Sequence, residues 1–199
     1  VTRLPPLPVE EWGEDARGVL TSYLRRPELY RSDGPDVRPM PGALGLLARH
    51  LPLGDSWLSF NEVLDRQTAL DLRVRELVVL RVAWRTRAAY EWAQHTRMGH
   101  HAGLTVEQLH AIPAGAAADV WTPVERAVLE ATDQIVDEFT VDDRTWAHLC
   151  EHFGDAELLE LLFVAGAYLC FAVVTNSAGL QPDPPTEPID APPLPGPEA

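Results

Sequence analysis

The 199-residue sequence contains no lysine; all sixteen basic side chains are arginines. That excludes Schiff-base chemistry and any lysine nucleophile, and it leaves the planar arginine fork as the only group able to clamp a substrate carboxylate. Cysteine is nearly as scarce. Cys150 and Cys170 are too few and too widely separated for a thiolate zinc cage or a CxxC redox pair. Both stand in apolar helical runs, where a free cysteine is expected to act as a small core hydrophobe, and such sparse usage suits a reducing cytoplasm. Positive charge is outnumbered by 30 acidic side chains, giving a net charge of −14. This opposes binding to nucleic acid or to an anionic membrane surface, since both demand clustered cations. Residues 1–6 lack an apolar signal core, so no secretion signal is expected there. The long apolar run over residues 158–174 is interrupted by Glu160, Gly166 and Tyr168. It reads as a core or subunit-interface helix rather than a membrane span.

What is present is helical. No stretch shows sustained period-two alternation between hairpin turns, so a sheet is not expected and the fold class is all-α. The 46% apolar content suffices for a packed core. Residues 1–39 read as a proline-rich arm (1–11), a helix over 12–26 stopped by Pro27, and a Pro/Gly link over 32–41. Residues 40–180 form the expected helical domain, and 181–199 a tail. Within the domain, helices are predicted over 42–51 and around 59–64, where Ser59 and Glu62 have capping-box spacing. Others follow over 72–85, 89–102, 143–153 and 156–177. Thr105–Gln108 and Thr122–Glu125 form two further capping boxes, the second with Pro123 at the favoured first helical position. The tail holds eight prolines in 19 residues and cannot build a core; it is expected to be disordered or to lie extended on a neighbour.

Helical periodicity places three ionisable groups on apolar faces of consecutive helices. Glu76 shares a stripe with Leu72, Val79, Leu80 and Ala83. Glu91 shares one with Ala88, His95, Met98, Gly99 and Ala102. Glu91 and His95 are one turn apart and within reach of each other, and Glu76 can meet them if the two helices form an antiparallel hairpin. Carboxylates and an imidazole in a dry pocket tune one another toward neutral pKa values, as acid–base catalysis needs. The bland alternative is a structural network in which Arg73, Arg87 and His95 satisfy two glutamates. His148 and His152 have the HxxxH spacing of metal ligands. The apolar stripe there runs through Trp146, Leu149, Cys150 and Phe153, however, so the histidines read as a solvated face and no resident metal is expected.

The run 72–83 with its Arg75-Glu76-Leu77, then Tyr90-Glu91-Trp92-Ala93-Gln94-His95, then Ala102-Gly103-Leu104-Thr105, closely resembles the carboxymuconolactone decarboxylase family and its alkylhydroperoxidase D-like superfamily. Asn176-Ser177-Ala178-Gly179-Leu180 is similar to the family's last helix. The resemblance implies an alkylhydroperoxidase D-like helical bundle assembled as a homo-oligomer, trimer-based, with Glu76 and His95 as proton-relay residues. The CxxC of the peroxidase members would fall at Ala88 and Glu91, so the thiol chemistry is absent. The resulting expectation is a cofactor-free lyase or isomerase for a small carboxylated or lactone-type metabolite. His95, Glu91 and Glu76 would be catalytic, Arg73 or Arg87 would hold a carboxylate, and Tyr90, Trp92, Trp84 and Tyr168 would form walls. A peroxidase-like redox protein and a non-catalytic binding or oligomeric scaffold are the alternatives.

Overall fold

Helices make up every regular element of the computed structural model, which describes residues 2–30, 38–185 and 187–195. Most of the expected 32–41 link and the last four tail residues lie outside the described residues. The chain divides into two compact units, residues 1–67 with 177–183, and residues 68–176 with 184–199. The helices after residue 40 pack on the N-terminal segment, because Trp12, Leu20 and Leu44 bury one another and gather Leu51 and Leu58.

The first unit contains α1 (Glu14–Ser22), α2 (Gly42–Leu47) and α3 (Leu51–Arg66). Two expectations change here. Helix α3 is continuous through Ser59, so Ser59-x-x-Glu62 is not a cap. The helix starts earlier because Pro52 occupies its first turn and His50 Nδ1 accepts from the Leu53 amide at 3.2 Å. The N-terminal arm is docked on its own chain. The Leu7 amide donates to Gly45 O at 2.8 Å, and a Cβ at Gly45 would come within 2.8 Å of that arm.

The second unit is organised around α4 (Leu72–Thr86), which packs most extensively against α5 (Ala89–His101) and α7 (Pro123–Glu138). Nine consecutive α4 residues, Arg75 to Ala83, are buried. A helix covered on all sides must neutralise its charges internally. Arg81 does so by a two-pronged pair with Asp133 of α7 at 2.7 and 2.8 Å, while donating to Ile112 O at 2.7 Å. The short α6 (Val106–Ala111) and α7 both start from the expected capping boxes. The turn between α4 and α5 is tight: Arg87 adopts a left-handed φ of 55°, and the Ala88 amide reaches back to Ala83 O at 2.9 Å.

α8 (Asp143–Cys150) and α9 (Asp155–Ala178) complete the unit. α8 is rotated from the expected stripe: its buried residues are Thr145 and Leu149, and Trp146 and Cys150 face outward. The rotation follows from two polar anchors, Asp142 capping the Thr145 amide at 2.7 Å and Gln134 of α7 reaching Thr145 Oγ1 at 3.1 Å. Cys170 is exposed as well, so neither thiol is a core hydrophobe. By length and composition α9 could cross a membrane, but Leu158, Leu161, Val164, Ala165, Tyr168, Ala172 and Thr175 are buried, as in a core helix. The described tail makes contacts with its own chain. It runs back along α5, where Trp92 Nε1 donates to Pro192 O at 3.1 Å, and His101 and His110 pair with Glu187 and Asp190 at 3.5 and 3.2 Å.

Candidate active site

α4 and α5 approach closely because Gly99 faces α4; a Cβ there would meet Leu80 at 2.9 Å and Leu104 at 3.0 Å. That approach lets Glu76 Oε2 reach His95 Nδ1 at 2.7 Å. The other Glu76 oxygen, Oε1, takes a hydrogen bond from Arg75 Nη1. Arg75 Nη2 in turn donates to Tyr168 OH on α9 at 3.1 Å, and the tyrosine ring lies edge-on to the His95 imidazole with centroids 4.9 Å apart. Arg75, Glu76, His95 and Tyr168 are all buried. With Nδ1 held by a carboxylate, the imidazole is fixed in orientation and Nε2 is the ring nitrogen left to exchange a proton.

Glu91 behaves differently from what the i,i+4 spacing suggests. Its Oε1 is 3.5 Å from Thr175 Oγ1 of α9, and Oε2 has no hydrogen-bond partner among the described residues. Thr175 is itself committed to Phe171 O at 3.0 Å. The Glu91 residue is only 1% exposed. Burial without a cation pushes its carboxyl from the ordinary 4.5 up to about 8, the Thr175 hydrogen bond offsetting only a little. Two neighbouring glutamates therefore differ sharply: Glu76 has Arg75 and His95 as partners, and Glu91 is a neutral acid at pH 7.

The expected substrate clamp is not where the spacing suggested. Arg73 Nε and Nη2 lie 3.0 and 2.7 Å from Glu125 Oε1, and Nη2 also reaches Gln108 at 2.8 Å, so Arg73 ties α4 to the capping boxes of α6 and α7. Burial raises the Glu125 carboxyl, but hydrogen bonds from Thr122 and the Arg73 guanidinium outweigh it and hold the pKa below the ordinary value. Arg87 is exposed at the α4–α5 turn. Trp92 and Tyr90 are buried, and Trp92 packs on Trp84 with centroids 5.3 Å apart. Met98, expected on the inner stripe, is exposed, and Thr96 is buried instead. The sequence reading missed Arg75 and Thr175. Arg75 lies 100° around the helix from Glu76, off the stripe of Leu72, Val79, Leu80 and Ala83, yet it is buried because this stretch of α4 is covered all round.

His148, Glu151 and His152, at the end of α8, bring one potential ligand atom each to within 4.8 Å of one another.

The all-helical arrangement is that of alkylhydroperoxidase D-like proteins. It matches an uncharacterised peroxidase-related protein from Ralstonia eutropha with an alkylhydroperoxidase AhpD core (TM-score 0.75, 16% identity, 91% of this chain and 92% of that one). It also matches the debrominase Bmp8 (TM-score 0.73, 10% identity, 92% and 93%). Residues 52–134, which carry α4, α5 and the Glu76–His95 pair, match the carboxymuconolactone decarboxylase family. The Bacillus subtilis protein YdfG, itself uncharacterised, is 24% identical over 105 residues, or 52% of this chain and 71% of YdfG.

Proposed function

We propose that this protein is a cofactor-free acid–base enzyme, a lyase or isomerase for a small carboxylated or lactone-type metabolite, acting in the cytoplasm. The observation that carries the reading is the pairing of a neutral buried carboxyl with a carboxylate-held imidazole in one helical layer. Groups whose environments push their protonation states apart are what proton-transfer catalysis requires. In this reading His95 Nε2 takes or delivers the proton, Glu76 orients the ring, and Arg75 holds Glu76 in place. Glu91 donates a proton to the developing anion from its unpartnered Oε2. The buried Arg75 guanidinium beside the Glu76–His95 pair supplies positive charge that suits a passing dienolate-type anion. A redox reading is disfavoured because Ala88 and Glu91 occupy the positions of the CxxC pair. Replacing Cys150 and Cys170 together by alanine should leave turnover within a few-fold of wild type; a loss of orders of magnitude in a folded variant would favour thiol chemistry.

The test is a panel of small carboxylated lactones and related unsaturated acids incubated in D2O and followed by NMR. Carbon dioxide loss or deuterium entry at the acidic carbon, dependent on His95, is the expected result. Failure of every compound, or turnover that survives His95→Gln, would favour a non-catalytic scaffold, a reading that the near-complete burial of the four groups also accommodates.

The same reading includes a homo-oligomer, trimer-based, assembled through the outer face of α9. Leu159, Phe163, Gly166, Cys170 and Val173 follow a 4-3-4-3 spacing along that face, the seam of a helix that packs on another helix. Phe163 is 51% and Val173 67% exposed in the isolated chain. Light scattering should report a multimer at micromolar concentration, with Cys150 reacting quickly with a thiol reagent and Cys170 slowly. Val173→Asp should yield smaller species in which both react quickly. A wild-type monomer with two fast thiols would rule the assembly out.

A further inference from the structure

We propose that His148, Glu151 and His152 form a surface site for a divalent transition-metal cation, separate in residues from the Glu76–His95 chemistry. The spacing i, i+3, i+4 puts the three side chains on one side of the last turn of α8 and the turn that follows. In the folded chain the two imidazole centroids lie 5.6 Å apart. One ligand atom from each of the three residues falls within 4.8 Å of the others. Tetrahedral coordination at 2.0–2.1 Å brings ligand atoms to about 3.3 Å from one another. The side chains therefore need close by only about 1.5 Å, which rotamer adjustment supplies for groups at the surface without moving the backbone.

The electrostatics also favour a cation. The cluster lies at the C-terminal, partially negative end of α8. Two neutral imidazoles and one carboxylate carry one negative charge, so a divalent ion leaves the site with a single positive charge. Arg144, one turn earlier, is directed to Glu130 at 3.7 Å rather than toward the cluster. Two nitrogen ligands select zinc, copper or nickel over magnesium and calcium, which prefer oxygen. Three protein ligands leave an open position for water. Such a site holds its ion less firmly than a closed four-ligand cage, so the metal exchanges with solution.

The experiment is calorimetric titration of the full chain, stripped by chelator, with zinc chloride and separately with magnesium chloride. One saturable zinc event per chain and no magnesium event are expected. The affinity should fall about ten-fold or more in His148→Ala/His152→Ala and also weaken in Glu151→Gln. Thermal melts without metal check that these surface variants remain folded; if the double variant does not, Glu151→Gln carries the test. Cys150→Ser/Cys170→Ser should bind zinc as wild type does. Absence of saturable zinc binding, wild-type affinity in the folded histidine variant, or loss of binding in the cysteine variant would each overturn the site.

Discussion

Glu91→Gln should free the protein of a stability loss that wild type suffers as pH rises. The Glu91 carboxyl is raised from 4.5 to about 8 in the folded state, so between those values the native chain binds a proton that the unfolded chain has released. Stability therefore falls with increasing pH across that window. The contribution is fully present below about pH 4.5 and is gone once pH has risen through about 8. At 1.36 kcal/mol per unit, the full swing is about 5 kcal/mol. Glutamine keeps the shape of the neutral acid and does not titrate. Urea unfolding of wild type and variant at pH 5, 7 and 9 should give similar free energies at pH 5 and a gap of several kcal/mol in favour of the variant at pH 9. Taking the difference cancels Glu125, whose depressed pKa acts in the opposite direction, its stabilisation being lost as pH falls. Curves that stay parallel to within about 1 kcal/mol would show that water reaches Glu91 and that it ionises normally. In that case the neutral-acid role proposed for it would fail.

His95→Gln should separate chemistry from stability. Glutamine can still hydrogen-bond to Glu76 and leaves no charge stranded, so the melting temperature should change modestly. Turnover of any substrate identified should fall by roughly 10²–10⁴-fold, the range for loss of a positioned acid–base group. Glu76→Gln is the contrasting variant. It removes the carboxylate that accepts from the buried Arg75 guanidinium, and breaking a buried pair typically costs about 3–5 kcal/mol. Measuring melting and turnover on both variants distinguishes a catalytic dyad from a structural knot. A large stability loss in His95→Gln, with no substrate found, would return the network to a purely structural role.

Glu76 and Glu91 show how one helix pair can give two buried carboxyl groups different surroundings. Glu76 is placed between a guanidinium and an imidazole; Glu91 receives only a distant threonine hydroxyl. With no cation beside it, Glu91 is the one whose carboxyl burial raises.

The sequence by itself determined the helical class, the limits of α4 and α5 to within a residue, two of the three expected capping boxes, and the meeting of Glu76 with His95. These are local or short-range matters. A cap is made by residues three apart, and a helix pair joined by a short turn folds back on itself, so Glu76 and His95 meet once Gly99 permits close approach. The tertiary structure alone decided the rest. Glu91 turns from His95 toward Thr175, 84 positions away in sequence, and Arg75 enters the site through Tyr168, 93 positions away. Cys150 and Trp146 face outward because Gln134 and Asp142 fix the rotation of α8. Periodicity assumes one covered face per helix, and it fails for α4, which is covered on every side. Which faces are covered, and by which polar groups, depends on segments that meet only when the chain has folded.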